Sequence, residues 1–295
     1  MTKSAMFVDE EKRAAMVAWC ERFREKLAVP TEARELATSF GATRVLVTGP
    51  ADAPPLVVLH GMMASAAHVL PELGSLTKTR RVYAVDVLGQ SPCSEDRRLD
   101  LHDGSYARWA LEVLDALALP KAALFGISWG GFVAYRTAIA APDRVAQLVL
   151  LVPAGLVKNG VWAGLRDAGW AFLTYKMFPT DARRERFMGT LFTTLDPDWV
   201  AFVDDGFRAF KADIRIPPRA TDAELASIQC PTLVFGAERD ASFPGAKLLA
   251  RVKECLPSAE VELIEGARHC PAFTDEFRGW LASRVDRFLE EHRTG

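Results

Sequence analysis

The stretch Leu124-Phe125-Gly126-Ile127-Ser128-Trp129-Gly130-Gly131 puts a serine between two glycines where an apolar strand stops and a helical pattern begins. This G-x-S-x-G spacing reads as a nucleophile elbow. A tight, strained strand-to-helix turn lifts the Ser128 hydroxyl out of a sheet, and side chains at positions 126 and 130 would collide there. The helix that follows directs the positive end of its dipole at a reacting carbonyl. An ordinary glycine-bordered turn has the same local spelling, so the flanking chain has to decide between the two.

Working outward, Leu56-Val57-Val58-Leu59-His60 and Val82-Tyr83-Ala84-Val85-Asp86 are apolar runs upstream of the elbow. Leu148-Val149-Leu150-Leu151-Val152, Thr232-Leu233-Val234-Phe235-Gly236 and Glu260-Val261-Glu262-Leu263-Ile264 follow it. Helical spacing separates these runs: after Ser65, over 103–117, from Phe132 to Ala140 before Pro142, over 246–256 and over 275–291. Continuous apolar strands alternating with helices predict an α/β chain whose mostly parallel central sheet is covered on both faces. Residues 9–27 have the spacing of a further helix on the outside. The turn over 49–55, between Arg44–Thr48 and Leu56–His60, predicts a hairpin feeding the first buried strand. The rhythm breaks over 154–227, where no strand is legible but Trp162, Trp170, Phe187, Phe192, Trp199, Phe202 and Phe207 recur. That segment predicts a helical cap inserted in a core made of 1–153 and 228–295. Most of its aromatics are expected to pack the cap onto the core, with Met63, Trp162 and Trp170 taken as candidate pocket walls.

Composition limits the partners. Of 295 residues, 25% are charged and the net charge is −2, which gives no electrostatic basis for binding nucleic acid or an anionic membrane surface. The first residues become acidic where a signal peptide needs an apolar core, and no apolar run reaches about 18 residues, so a soluble cytoplasmic protein is expected. Five scattered cysteines without a C-x-x-C pair argue against a disulfide framework or a structural zinc site. No G-x-G-x-x-G follows the first strand and no G-x-x-x-x-G-K-[ST] occurs, so no cofactor and no metal are expected.

A serine hydroxyl is a poor nucleophile until a base takes its proton, and that base needs an acid to hold its tautomer. Of the five histidines, His269 lies in the loop Gly266-Ala267-Arg268-His269-Cys270-Pro271 just after the last strand, where it can reach back over the sheet edge. For the acid, Gly236-Ala237-Glu238-Arg239-Asp240 follows the penultimate strand. Asp240 is the choice and Glu238 the rival. A tetrahedral intermediate also needs oxyanion donors, and His60-Gly61-Met62 supplies a tight turn that aims the Met62 backbone N–H at the same point as that of Trp129. His60 is expected to shape its own loop, and Asp86 to tie down the loop that follows it.

With His60-Gly61, Asp86-x-x-Gly89, Gly126-x-Ser128-x-Gly130-Gly131, Gly236-x-x-x-Asp240 and Gly266-x-x-His269 all in order, the chain resembles the α/β-hydrolase fold superfamily from about Arg44 onward. Its N-terminal helix, proline-rich turn and aromatic cap are most similar to bacterial carboxylesterases of that superfamily. The second glycine usual after Asp86 is absent. The resemblance implies a serine hydrolase that cleaves a small to medium apolar ester through an acyl-enzyme, with a small-molecule ester as its partner. A serine nucleophile excludes the dehalogenase and epoxide-hydrolase branches, which use aspartate. C–C bond hydrolysis, lactone opening and acyl transfer on the same residues stay open as alternatives, as do a non-catalytic ligand receptor and a homodimer formed through the cap.

Overall fold

A computed structural model describes residues 6–157, 169–211, 213 and 215–293. The chain enters through α1 (Glu10–Glu25), whose Asp9 side chain accepts from the Lys12 amide and whose first turn carries Glu10 and Glu11 against the helix dipole. It continues through β1 (Glu32–Thr38), β2 (Gly41–Thr48), β3 (Pro55–Leu59), α2 (Ala66–Val69), α3 (Leu76–Thr79) and β4 (Arg81–Val85). Next come α4 (Ser105–Ala116), β5 (Ala122–Ile127), α5 (Trp129–Ala140) and β6 (Val145–Leu151). Among the described residues four helices follow, α6 (Trp170–Met177), α7 (Asp181–Leu191), α8 (Pro197–Ala209) and α9 (Asp222–Ala226). The chain closes with β7 (Thr232–Ala237), α10 (Gly245–Cys255), β8 (Glu260–Ile264) and α11 (Asp275–Glu291).

These strands form one eight-stranded sheet in the order β1-β2-β4-β3-β5-β6-β7-β8, parallel from β4 onward. Successive side chains of a strand face opposite sides, so each apolar run feeds two cores. Val57, Leu59 and Leu124 pack with Trp109 and Phe132 beneath α4 and α5, while Val58 and Phe125 pack with Met16, Val285 and Phe288 beneath α1 and α11. This explains why the parallel strands read as unbroken apolar segments rather than alternating ones.

The amino-terminal edge departs from the sequence expectation. β2 does not pair with β3. Its partners are β1, in the antiparallel register Glu32↔Val47 to Thr38↔Gly41, and β4, in the antiparallel register Val45↔Val85 to Thr48↔Val82. β1 is an edge strand with Leu36 as its one buried residue, so it lacks the apolar alternation by which a strand is recognised. The crossing places β3 beside β4 and β5, in the middle of the sheet.

Between β6 and β7 the named elements among the described residues are helices. α8 is capped by Asp196, whose side chain accepts from the Asp198 and Trp199 amides, with Pro197 at the first helical position. Its inner face joins the main core through Phe202, and the Trp19 indole of α1 donates to Asp205 at 2.8 Å. Tyr175 and Phe187 form a smaller cluster of their own, with Phe192 at its edge. The tryptophan at 162 lies outside the described residues.

Candidate active site

Four loops leave the carboxyl ends of parallel strands and converge, which is where open α/β sheets place ligands. Gly61-Met62-Met63 follows β3, Ser128 follows β5, Asp240 follows β7 and His269 follows β8. Ser128 occupies φ 51°, ψ −109°, a region a serine enters only under constraint. The constraint is visible: its N–H donates to Leu151 O at 2.9 Å, and its carbonyl accepts from Phe132 and Ala154 at 3.2 and 2.9 Å. The flanking glycines allow the close approach. A Cβ at 130 would lie 2.0 Å from Leu59 O, and one at 126 would lie 2.5 Å from Gly130 O.

The turn presents Ser128 Oγ 2.9 Å from His269 Nε2, and His269 Nδ1 lies 2.8 Å from Asp240 Oδ2. Asp240 is buried, and its other oxygen accepts from the Ser242 and Phe243 amides at 2.7 and 3.0 Å. Glu238, the rival acid, is exposed and turned away, its carboxylate accepting from the Gly266 amide at 2.7 Å. Burial alone would lower the His269 pKa, but the charge of Asp240 and its hydrogen bond outweigh that and hold the imidazole above its ordinary value. Nδ1 bonded to the carboxylate leaves Nε2 to face the serine, the arrangement in which Nε2 can take the hydroxyl proton.

Trp129 is the first residue of α5, where a helix leaves its N–H without an intrahelical acceptor. Gly61 packs against the serine, since a Cβ there would lie 3.5 Å from Ser128 Cβ. The next amide, that of Met62, forms no backbone hydrogen bond among the described residues. His60 is fully buried and holds the loop from inside, with Nδ1–H donating to Gly61 O at 2.7 Å and Nε2 accepting from the Val87 amide at 2.8 Å. Burial keeps its pKa below the ordinary range, consistent with the neutral tautomer that these two bonds require. Asp86 accepts from Arg44 Nε, the Ala66 amide and the Ser91 hydroxyl at 2.7, 2.8 and 2.7 Å. The loops after β3 and β4 are thereby tied together without the missing second glycine.

Ser128 and His269 open into a cavity of about 500 Å³. Its walls are mainly apolar, with Met63, Phe192, Trp199, Phe202, Phe207 and Phe273 prominent, and Trp199 stacks on Phe273 at 4.9 Å. The charged groups at its walls are already matched: Glu72 with Arg278, Asp213 with Arg215. His68 and Cys270 also border it. Burial drives His68 well below the ordinary histidine pKa and pushes the Cys270 thiol up to about 12, so both are neutral. Trp170 does not line this cavity. It is 64% exposed, because α6 turns Ala171 and Tyr175 inward and leaves Trp170, Leu173 and Met177 on the outer face. The wall-forming Phe192, Trp199, Phe202 and Phe207 were indistinguishable in sequence from aromatics that only pack helices. Among the described residues no helix is long and apolar enough to cross a membrane.

Residues 56–281 match the sequence profile of the alpha/beta hydrolase family, and the chain belongs to that family. It is 30% identical over 250 residues to carboxylesterase YbfK of Bacillus subtilis, covering 82% of each chain. It is 28% identical over 262 residues to the uncharacterized carboxylesterase nap of the same organism, covering 86% of this chain and 85% of that one. The crystal structure of naproxen esterase from Bacillus subtilis superposes with a TM-score of 0.79 at 26% identity, covering 95% of this chain and 97% of the other. The protein is a carboxylesterase-like α/β hydrolase.

Proposed function

We propose that this protein hydrolyses a neutral, apolar carboxylic ester through an acyl-enzyme on Ser128. The reading rests on the unbroken chain of contacts from Ser128 Oγ through His269 to the buried Asp240 carboxylate. Ser128 Oγ attacks the ester carbonyl carbon as its proton passes to His269 Nε2, and the carbonyl oxygen takes the negative charge. The Met62 and Trp129 amides hold that oxyanion, typically worth about 3 kcal/mol per donor in the transition state. His269 then returns the proton to the departing alkoxide, the C–O bond breaks and an acyl-serine is left. Water, deprotonated by the same imidazole, attacks the acyl carbon, and collapse of the second tetrahedral intermediate releases the acid and restores the serine. Asp240 stays ionised and stabilises the imidazolium formed in each half-reaction.

The helices of 154–227 act as a cap over the cavity. Matched charges and aromatic walls favour a bulky, uncharged acyl group, and a relative known as naproxen esterase makes an aryl-bearing ester the first candidate. The test is a panel of p-nitrophenyl esters with acetyl, hexanoyl, dodecanoyl, arylpropanoyl and succinyl acyl groups. Neutral acyl groups of intermediate size should exceed the anionic succinyl ester by about tenfold or more in kcat/KM, since among the described residues the cavity offers no unmatched cation. A preference for the succinyl ester would overturn the substrate class.

A further inference from the structure

His269 stands in a loop, and its position is only as good as the loop's. The backbone hydrogen bonds of residues 268–270 run to 191–193, at the end of α7. Cys270 N–H donates to Leu191 O at 2.8 Å, and Thr193 N–H donates to Cys270 O at 2.9 Å. One side chain of that segment reaches both sides of the histidine. Thr193 Oγ1 accepts from the Arg268 N–H at 2.9 Å and donates its own proton to Cys270 O at 2.8 Å. A hydroxyl is the group that can accept and donate at once, so a single atom brackets the His269 peptide from the residue before and the residue after.

We propose that Thr193 is a positioning residue for His269, fastening the general base of the proposed esterase to the helical insertion. This rests on the function proposed above. Thr193 is exposed, so its hydroxyl does little for overall stability, where water substitutes readily. Water does not fix an angle, however, and the hydroxyl bond keeps the imidazole between Ser128 and Asp240. Loss of the bracket lets the base wander, and small displacements of a reacting group are costly in rate. The insertion thus contributes to the proton transfer as well as to the cavity wall.

The experiment compares Thr193→Val, which keeps the shape and removes both hydroxyl bonds, with Thr193→Ser, which keeps the hydroxyl. Thr194→Val serves as control, since Thr194 Oγ1 accepts from the Phe273 amide at 2.9 Å, beyond the histidine. Thr193→Val should lower kcat for a p-nitrophenyl ester by about 5- to 50-fold with KM within about twofold. Thr193→Ser should return to within about threefold of the parent, and Thr194→Val should stay within about twofold. The exposed site makes folding of these variants safe, and Thr193→Ala against Thr193→Ser gives the same comparison if valine is not tolerated. Unchanged kcat in Thr193→Val, no rescue by serine, or an equal loss in Thr194→Val would each overturn the proposal. Ser128→Ala, run alongside, separates the two levels. If it keeps turnover, the esterase reading fails and Thr193 with it. An inactive Ser128→Ala beside an unimpaired Thr193→Val removes the positioning role alone.

Discussion

Two opposing effects act on the His269 imidazole: burial favours its neutral form, and the Asp240 carboxylate favours its charged form and prevails. The neutral imidazole is therefore generated only as pH rises through a value above the ordinary one of about 6.5. The rate kcat/KM should climb with pH and level off above a midpoint higher than that. By the same linkage, the His269–Asp240 pair contributes fully to stability below the ordinary histidine pKa and loses that contribution as pH rises through the raised one. Asp240→Asn should cut turnover by about 10²- to 10⁴-fold and move the midpoint downward. Glu238→Gln, which keeps an acceptor for the Gly266 amide, should change turnover by less than about twofold. pH–rate profiles of the three proteins check this, and a flat parent profile through neutrality would contradict the base assignment. Sequence offered Asp240 as the acid, with Glu238 as its rival two residues away. It could not supply the burial and side-chain direction that set the two apart, because in a loop these depend on what the rest of the chain packs around it.

The two glycine-bounded elements flanking the elbow were legible because their demands are local. Gly126 and Gly130 are required by backbone contacts within a few residues and one neighbouring strand. β8 and α11 were likewise readable, with bounds of Glu260–Ile264 and Asp275–Glu291 that match their apolar and helical patterns. β1 was not, since its stability comes from backbone pairing with β2 while its side chains, Leu36 apart, stay out of the core. The loop after β4 shows a different device. Its shape is held by Asp86, which carries bonds from Arg44, Ala66 and Ser91 at once. Asp86→Ala would leave the largely buried Arg44 guanidinium with only the half-exposed Glu21 as an anion and remove the acceptor of the Ala66 amide and the Ser91 hydroxyl, at a cost of about 3–5 kcal/mol. Denaturant unfolding should show a lowered midpoint with little change in slope. A variant as stable as the parent would mean that the loop is held by something other than Asp86.

At the scale of the molecule, one sheet gathers residues 141 positions apart in sequence, Ser128 and His269, at its carboxyl edge. The parallel arrangement makes that convergence unavoidable, because every β-to-α connection leaves the sheet on the same side. The order of serine, acid and histidine could be read in advance for this reason. The cavity could not, since its walls come from several helices and loops whose mutual packing no local pattern encodes; Trp199 lines it while Trp170 faces outward. The central claim is that Ser128 is the nucleophile of this site. Its most direct test is reaction with a fluorophosphonate followed by intact-protein and peptide mass spectrometry. The parent protein should gain a single phosphonyl group on the peptide that contains Ser128, and Ser128→Ala should gain none. An unlabelled parent, or a Ser128→Ala protein labelled as fully as the parent, would contradict the account.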